Sequence, residues 1–456
     1  MSGPAAARAR RRAVRRGTGN PALVVVAGFT GAAAVGTALL SLPAATASGQ
    51  RAPLVDALFT AVSAVCVTGL VTVDTGTYWS GPGQAVILLL IQAGGLGIMT
   101  LATLLALLLR HRLGLRARLV AQAETKTLTG ADVRRVVRRV VLFSLGCEAV
   151  VAVVLTARFL TTYDASLGGG LYEGVFHAVS AFNNAGFSTH ADSLVGYAGD
   201  PVVLGTLCAA VVVGGLGFPV VFELVRSWRR PSTWSVLTRV TVLVTAVLLV
   251  VGTVGVLVPE AGNPATLGGL DVEDRLLGAV TASVMARTAG FNAVDIGALH
   301  PETLFLHDVL MFIGGGSAGT AGGIKVTTFG ILAFVVWAEV RGEPDAVVGR
   351  RRVPRETQRQ ALTVALLGVG LCTLGTSLLL DMTAEPLDAV LFEAVSAFGT
   401  VGLSTGITAD LPTDARLVLV GLMLAGRVGP LTAATALALR ERTRRTQLPE
   451  ERTIVG

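Results

Sequence analysis

The sequence predicts an all-α polytopic membrane protein. Its four pseudo-symmetric repeats each hold an outer helix, a re-entrant pore helix with its loop, and an inner helix, around one central pore. Three observations predict this. The chain is 52% hydrophobic and only 15% charged, where soluble domains average about 25% charged residues. Long apolar runs alternate with short ones such as 56–65, which at ~1.5 Å per residue reach only about halfway across a ~30 Å hydrocarbon core. Each short run ends in a loop with a glycine before a large apolar residue. These glycines, Gly69, Gly186, Gly290 and Gly402, lie 117, 104 and 112 residues apart, and self-similarity at a near-constant period marks a repeat architecture.

Taken in order, residues 1–20 are a basic cytoplasmic N-terminus with six arginines. They resemble the start of a secretory signal, with Ala45-Thr46-Ala47 as a cleavage site. The apolar stretch 22–45 is longer than a signal core, and the repeat needs it as its first outer helix, so it is read as retained. Repeat one (21–112) holds that helix, a pore helix at 53–65 and an inner helix at 82–110. A cytoplasmic loop (113–138) leads to repeat two (139–228), with helices at 139–161 and 199–226 and a pore helix at 171–182.

Phe59, Ser63 and Ala64 fall in the same register as Phe176, Ser180 and Ala181, counted back from the glycine. Repeat three (236–340) has helices at 236–258 and from 304, a pore helix at 274–286 and a glycine-rich segment, 314–327. Its Ser283 stands seven residues before Gly290 rather than six. Repeat four (357–440) has helices at 358–380 and 414–440 and a pore helix at 387–398, with Phe392 and Ser396 back in register. The tail 441–456 closes the chain, and the sum is eight spanning helices.

Charge orients this plan. Of 37 basic residues, 30 fall in segments 1–20, 110–139, 226–239, 341–359 and 440–456, while the intervening segments are acidic. Basic loops stay cytoplasmic, so both termini are expected inside the plasma membrane. Segments 110–139, 341–359 and 440–456 serve topology alone or also dock an acidic-faced partner; the residues leave both open. No soluble basic domain exists to bind nucleic acid. The four cysteines, Cys66, Cys147, Cys208 and Cys372, lie in apolar segments and are expected as free thiols.

Irregular backbone at membrane depth must be buried in protein or line water, so four such loops imply a water-lined axis. Carbonyls turned to that axis replace a cation's hydration shell, and glycine allows the turn because it lacks a Cβ. The expected filter residues are Val67, Thr68, Gly69, Asn184, Ala185, Gly186, Thr288, Ala289, Gly290, Thr400, Val401 and Gly402. Pore helices running inward aim their negative C-terminal ends at a cation. Arg287 is the one basic residue in these runs and is expected to brace its loop against a carboxylate such as Glu173 or Glu393.

Other motifs fall away. Gly314 to Gly319 spells G-x-G-x-x-G inside an apolar helix, where the dinucleotide motif needs a soluble βαβ unit. Lys325 follows Ile324 where a phosphate-binding loop has glycine. Glu148, His177, Asn183 and Asn184 form no nucleophile–base pair or metal-ligand spacing, and the chain reads as no enzyme. His177 reads as a satisfied pore-helix residue; Glu148 is a structural partner or a functional acid. The glycines of Gly94-Gly95-Leu96-Gly97 and Gly214-Gly215-Leu216-Gly217 read as close helix packing. Repeats three and four, with Gly314-Gly315-Gly316-Ser317 and Gly426-Arg427-Val428-Gly429, are expected to depart from it.

With these runs laid out, the chain resembles the Trk/Ktr/HKT superfamily of cation transporters over residues 20–440, most of all the KtrB-like membrane subunit of bacterial Ktr systems. The resemblance rests on Val67-Thr68-Gly69-Leu70, the run Asn183 to Phe187, the run Arg287 to Phe291, the run Gly315 to Lys325, and the run Gly426 to Leu431. Reaching the first filter glycine at residue 69 fits the shorter Ktr plan. The resemblance implies potassium uptake, with K+ as the transported ion and no cofactor bound by this chain. It also implies a homodimer of two separate pores, and a cytoplasmic nucleotide-binding regulatory ring of the KtrA/RCK type. Glycine in all four filters goes with potassium in that family, and serine in the first with sodium. A sodium-permeable HKT-like transporter and a non-conducting scaffold are the alternatives, and Na+ as a coupling or activating ion, as in symport, stays open.

The segment 314–327 is expected to gate the pore. Six of the ten residues 314–323 are glycine, each costing about 1 kcal/mol in a helix relative to alanine. Ser317, Thr320 and Thr327 can satisfy freed backbone. Lys325 is one of two lysines beside 35 arginines, a compact charge where a planar fork is the rule. The gate residues are Gly315, Gly316, Ser317, Gly319, Thr320, Gly322, Gly323 and Lys325, with Arg427 from repeat four, and the partner's change of shape would withdraw them.

Overall fold

The computed structural model describes residues 21–110, 130–349 and 351–439. The basic N-terminus, most of the 113–138 loop, Arg350 and the tail from 440 lie outside the described residues. The regular structure of the rest is almost wholly helical. In chain order the helices are α1 (Pro21–Leu40), α2 (Leu54–Cys66), α3 (Gly81–Arg110), α4 (Gly130–Thr162), α5 (Leu167–Phe182), α6 (Pro201–Leu216) and α7 (Phe218–Ser227). They continue as α8 (Val236–Glu260), α9 (Val272–Met285), α10 (Pro301–Phe312), α11 (Val326–Val340), α12 (Arg355–Met382), α13 (Leu387–Gly399) and α14 (Thr413–Leu439).

Local chemistry sets the ends. Ser166 and Ser235 accept from the N–H groups of Gly169 and Thr238, and Asp200 from those of Val202 and Val203, opening α5, α8 and α6. These caps satisfy donors that a helix start leaves orphaned. Prolines at 53 and 386 precede α2 and α13. Both of these end at a left-handed residue, Val67 (φ 58°) and Thr400 (φ 49°).

The molecule is apolar outside as well as in. Val150 and Val153 of α4, Val254 and Val258 of α8, and Leu366 and Val369 of α12 are all exposed, whereas Glu148, His177, Asn183, Arg287, Glu393 and Arg427 are buried. Water would drive the reverse; lipid permits it. Among the described residues, Gly81–Thr100, Arg134–Thr162, Val236–Glu260 and Arg355–Met382 are by themselves long and apolar enough to span a membrane. Helices α6 and α7 make a fifth span if taken as one, bent by 102°.

One expected span is broken outright. The third inner helix splits into α10, 12 residues, and α11, 15 residues.

The bend corrects one expectation. The second inner helix, read from sequence as continuous over 199–226, stops at Leu216 and turns at Gly217 (φ 90°). The fourth, read as departing from close packing, runs unbroken through Gly426 and Arg427. Repeats two and three are therefore the irregular ones. A two-stranded hairpin, β1 (Val347–Val348) and β2 (Arg351–Arg352), precedes α12, its Val348 buried with Ala338 and Val240. All four cysteines are free.

Candidate functional site

The four short helices α2, α5, α9 and α13 end within a few residues of Gly69, Gly186, Gly290 and Gly402. In each loop the glycine has positive φ (95°, 69°, 75° and 97°), and so does the residue two positions before it: Val67, Asn184, Thr288 and Thr400. Thr68, Ala185, Ala289 and Val401 stand between them. Four loops thus repeat one backbone alternation that side chains rarely adopt.

The loops touch in order and close on themselves. A β-carbon at Gly69 would stand 2.4 Å from the Ala185 carbonyl oxygen, and one at Gly186 2.8 Å from that of Ala289. At Gly290 it would stand 2.3 Å from the Val401 oxygen, and at Gly402 2.2 Å from that of Thr68. The missing side chain of each glycine is what lets the next loop in, so the four make a ring of backbone.

Serines on the short helices fix it. Ser63 and Ser396 accept from the N–H of Gly69 and Gly402, both at 3.1 Å, and Ser180 donates to the Phe187 carbonyl at 2.8 Å. Ser283, one residue out of register, donates instead to Leu249 of α8 at 3.0 Å. The third loop therefore lacks the serine brace of its counterparts. Glycines on the inner helices close in behind. A β-carbon at Gly94, Gly214 or Gly426 would meet the carbonyl oxygen of Val65, Phe182 or Phe398, within 2.0 Å in each case. Each of those carbonyls lies four residues before its ring glycine.

The segment 314–325 packs against one side of the ring. Its neck is stitched by Gly314 N–H to Ile324 and Val326 N–H to Gly315. Because α6 stops early, its last carbonyls are unpaired, and two of them take the loop: Gly316 N–H donates to Gly215 at 2.7 Å and Thr320 N–H to Gly214 at 3.2 Å. Ser317 pairs with Thr327 at 2.8 Å, and Thr320 donates to the Asn184 side chain at 2.7 Å. A β-carbon at Gly322 would strike the Thr400 hydroxyl, and one at Gly323 would lie 3.3 Å from Gly399. One at Gly319 would lie 2.7 Å from the Gly215 oxygen.

Lys325 folds back onto the Ala321 and Gly322 carbonyls. Arg427 reaches from α14 and donates to the Thr320 carbonyl. Among the described residues no carboxylate pairs with Arg427.

Arg287 does not meet Glu173 or Glu393. Its guanidinium donates to the Gly314 carbonyl at 3.1 Å and to Thr245, tying the third loop to the neck of 314–325. Glu393 instead accepts from Ser404, Thr405 and Thr408, and Glu173 lies 3.5 Å from His190. Glu393 as a brace of its own loop was missed. The signal was its place nine residues before Gly402, where His177 stands before Gly186. His177 also reaches across its loop, to Ser188 at 3.1 Å. Glu148 is held by Gln92 at 3.0 Å and Asn183 at 3.1 Å, joining α4 to α3 and α5. No group of acidic, histidine or cysteine side chains among the described residues could hold a metal.

A largely helical body, apolar on its outside and built around a ring of backbone, is that of a polytopic membrane protein. The chain belongs to the TrkH family, described as cation transport protein, which it matches over residues 11–444. It is 40% identical over 425 residues to the Ktr system potassium uptake protein B of Bacillus subtilis (strain 168), covering 93% of this chain and 94% of that one. To the protein of the same description from Vibrio alginolyticus it is 37% identical, covering 96% and 95%. To the potassium/sodium uptake protein NtpJ of Enterococcus hirae it is 33% identical, covering 96% and 97%. The crystal structure of the potassium transporter TrkH from Vibrio parahaemolyticus shares the fold, with a TM-score of 0.71, 18% identity, and coverage of 90% of this chain and 83% of that one.

Proposed function

We propose that the chain is the ion-translocating membrane subunit of a potassium uptake system. K+ passes through the carbonyls of Val67–Gly69, Asn184–Gly186, Thr288–Gly290 and Thr400–Gly402, and the 314–327 loop with Arg427 closes the path beside them. The observation that carries this is the closed ring of the four glycines. A monovalent cation needs its water replaced by several oxygens at once, and four loops in mutual contact offer them without a charged side chain. Four helix C-termini converging on the ring add partial negative charge.

The buried hydroxyls of Thr68, Thr288 and Thr400 have no partner within the protein, which suits an ion and its water. The names of the relatives support K+ as the ion. The mention of sodium in one of them supports a second reading, a path that also admits Na+. In this reading the protein works as a homodimer of two pores with both termini cytoplasmic. A nucleotide-binding ring then docks on the basic segments that include Arg351 and Arg352. Purified protein in liposomes under a K+ gradient tests the proposal: K+-selective flux supports it, equal K+ and Na+ flux favours the second reading, and no flux overturns both.

A further inference from the structure

We propose that a groove on the outer face of α4 and α6 binds one anionic phospholipid, its acyl chain in the groove and its headgroup on Arg135 and Arg139. The groove measures about 450 Å³ and is lined wholly by apolar or small residues, among them Leu142, Gly146, Val150, Phe182, Ala210 and Val213. Gly146 has nothing within 4 Å of where its β-carbon would stand, so the concavity is a feature of small residues rather than a packing gap. Its volume lies within the range of ~300–1,000 Å³ of ligand sites.

One edge is rigid: Phe143 meets Phe182, Phe218 and Phe222 edge-on, at 6.1, 6.1 and 5.6 Å between ring centroids.

Charge identifies the occupant. Residues 135, 139, 142, 146 and 150 recur at intervals of three and four and so share one face of α4. Arg139 and Arg135 stand roughly 10 and 16 Å before Gly146 along the axis at ~1.5 Å per residue. That places two cations on the groove's own face at the distance a headgroup keeps from its chain. Both arginines are exposed, and among the described residues no carboxylate pairs with either. Basic clusters beside membrane helices favour anionic headgroups. The acyl chain would lie over Phe143, which packs edge-on against the buried Phe182, the residue before Asn183, so the bound lipid would buttress the second loop of the ring.

Native mass spectrometry of the full chain tests this, with phosphatidylglycerol or phosphatidylcholine of matched chains added to the detergent-purified protein. The wild type is expected to retain phosphatidylglycerol roughly tenfold better. The Arg135→Gln/Arg139→Gln variant, which alters only exposed side chains, should retain the two equally. Gly146→Phe should lose both lipids. Equal retention by the wild type, or an undiminished preference in the double variant, overturns the proposal. So does a Gly146→Phe protein that keeps its lipid but loses a dimer mass, since the groove is then an interface between copies.

Discussion

The carbonyl oxygen of Thr68 lies 2.2 Å from the point where a β-carbon on Gly402 would stand, so the first and fourth loops can touch only because residue 402 is glycine. Gly402→Ala would add a left-handed backbone (φ 97°), costing about 1–3 kcal/mol, to a clash with backbone that cannot swing aside. We expect loss of K+ uptake and a lowered melting temperature. Gly186 has the most room, 2.8 Å to its nearest neighbour, so Gly186→Ala should be the mildest of the four. Gly69→Ser should narrow the preference for K+ over Na+, read as Na+ competition in a liposome uptake assay.

The serines give a sharper contrast. Ser63→Ala and Ser396→Ala strand a buried and a half-buried glycine N–H, a cost of about 1–3 kcal/mol each when buried, and should weaken K+ discrimination. Ser283→Ala removes a bond to Leu249 rather than to its own loop. It should lower thermal stability while leaving discrimination near wild type. Equal selectivity defects in all three would contradict this division.

Arg427 holds the Thr320 carbonyl, and Thr320 in turn holds Asn184. Arg427→Gln, or deletion of Ala318 to Gly322, should raise K+ flux and loosen its dependence on a cytoplasmic partner. A deletion protein that folds and dimerises yet conducts like the wild type would remove the gate.

Just ahead of the α6 span, Asp200 ties α6 to α4 through Arg158 at 2.8 Å and Tyr163 at 2.9 Å. Burial alone pushes its carboxyl up, but Arg158, Tyr163 and the N–H groups of Val202 and Val203 together hold it below its ordinary value. A depressed carboxyl stabilises the fold above its unfolded pKa and loses that contribution as pH falls through the folded one. The melting temperature should therefore drop on acidification below the ordinary carboxylate range, and Asp200→Asn should flatten that part of the profile.

The sequence by itself determined the helical membrane body, the four glycine loops and the odd character of 314–327. Each is written in local terms: apolar run length, a repeated glycine, a density of glycine no helix tolerates. It also carried the register slip of Ser283, though not its consequence. Only the tertiary structure decided that the loops meet as a ring in chain order, because contacts between loops 104 or more residues apart leave no local trace. It decided that the second inner helix breaks at Gly217 while the fourth runs unbroken. Pro219 follows Gly217 and removes a helix donor, yet Pro430 sits inside the unbroken fourth helix, so what decides is the neighbour: a β-carbon at Gly217 would stand 2.4 Å from the Ser317 carbonyl oxygen. It also sent Arg287 to the Gly314 carbonyl instead of a carboxylate, since a buried guanidinium takes whatever acceptors packing brings within reach, and packing is a property of the whole chain.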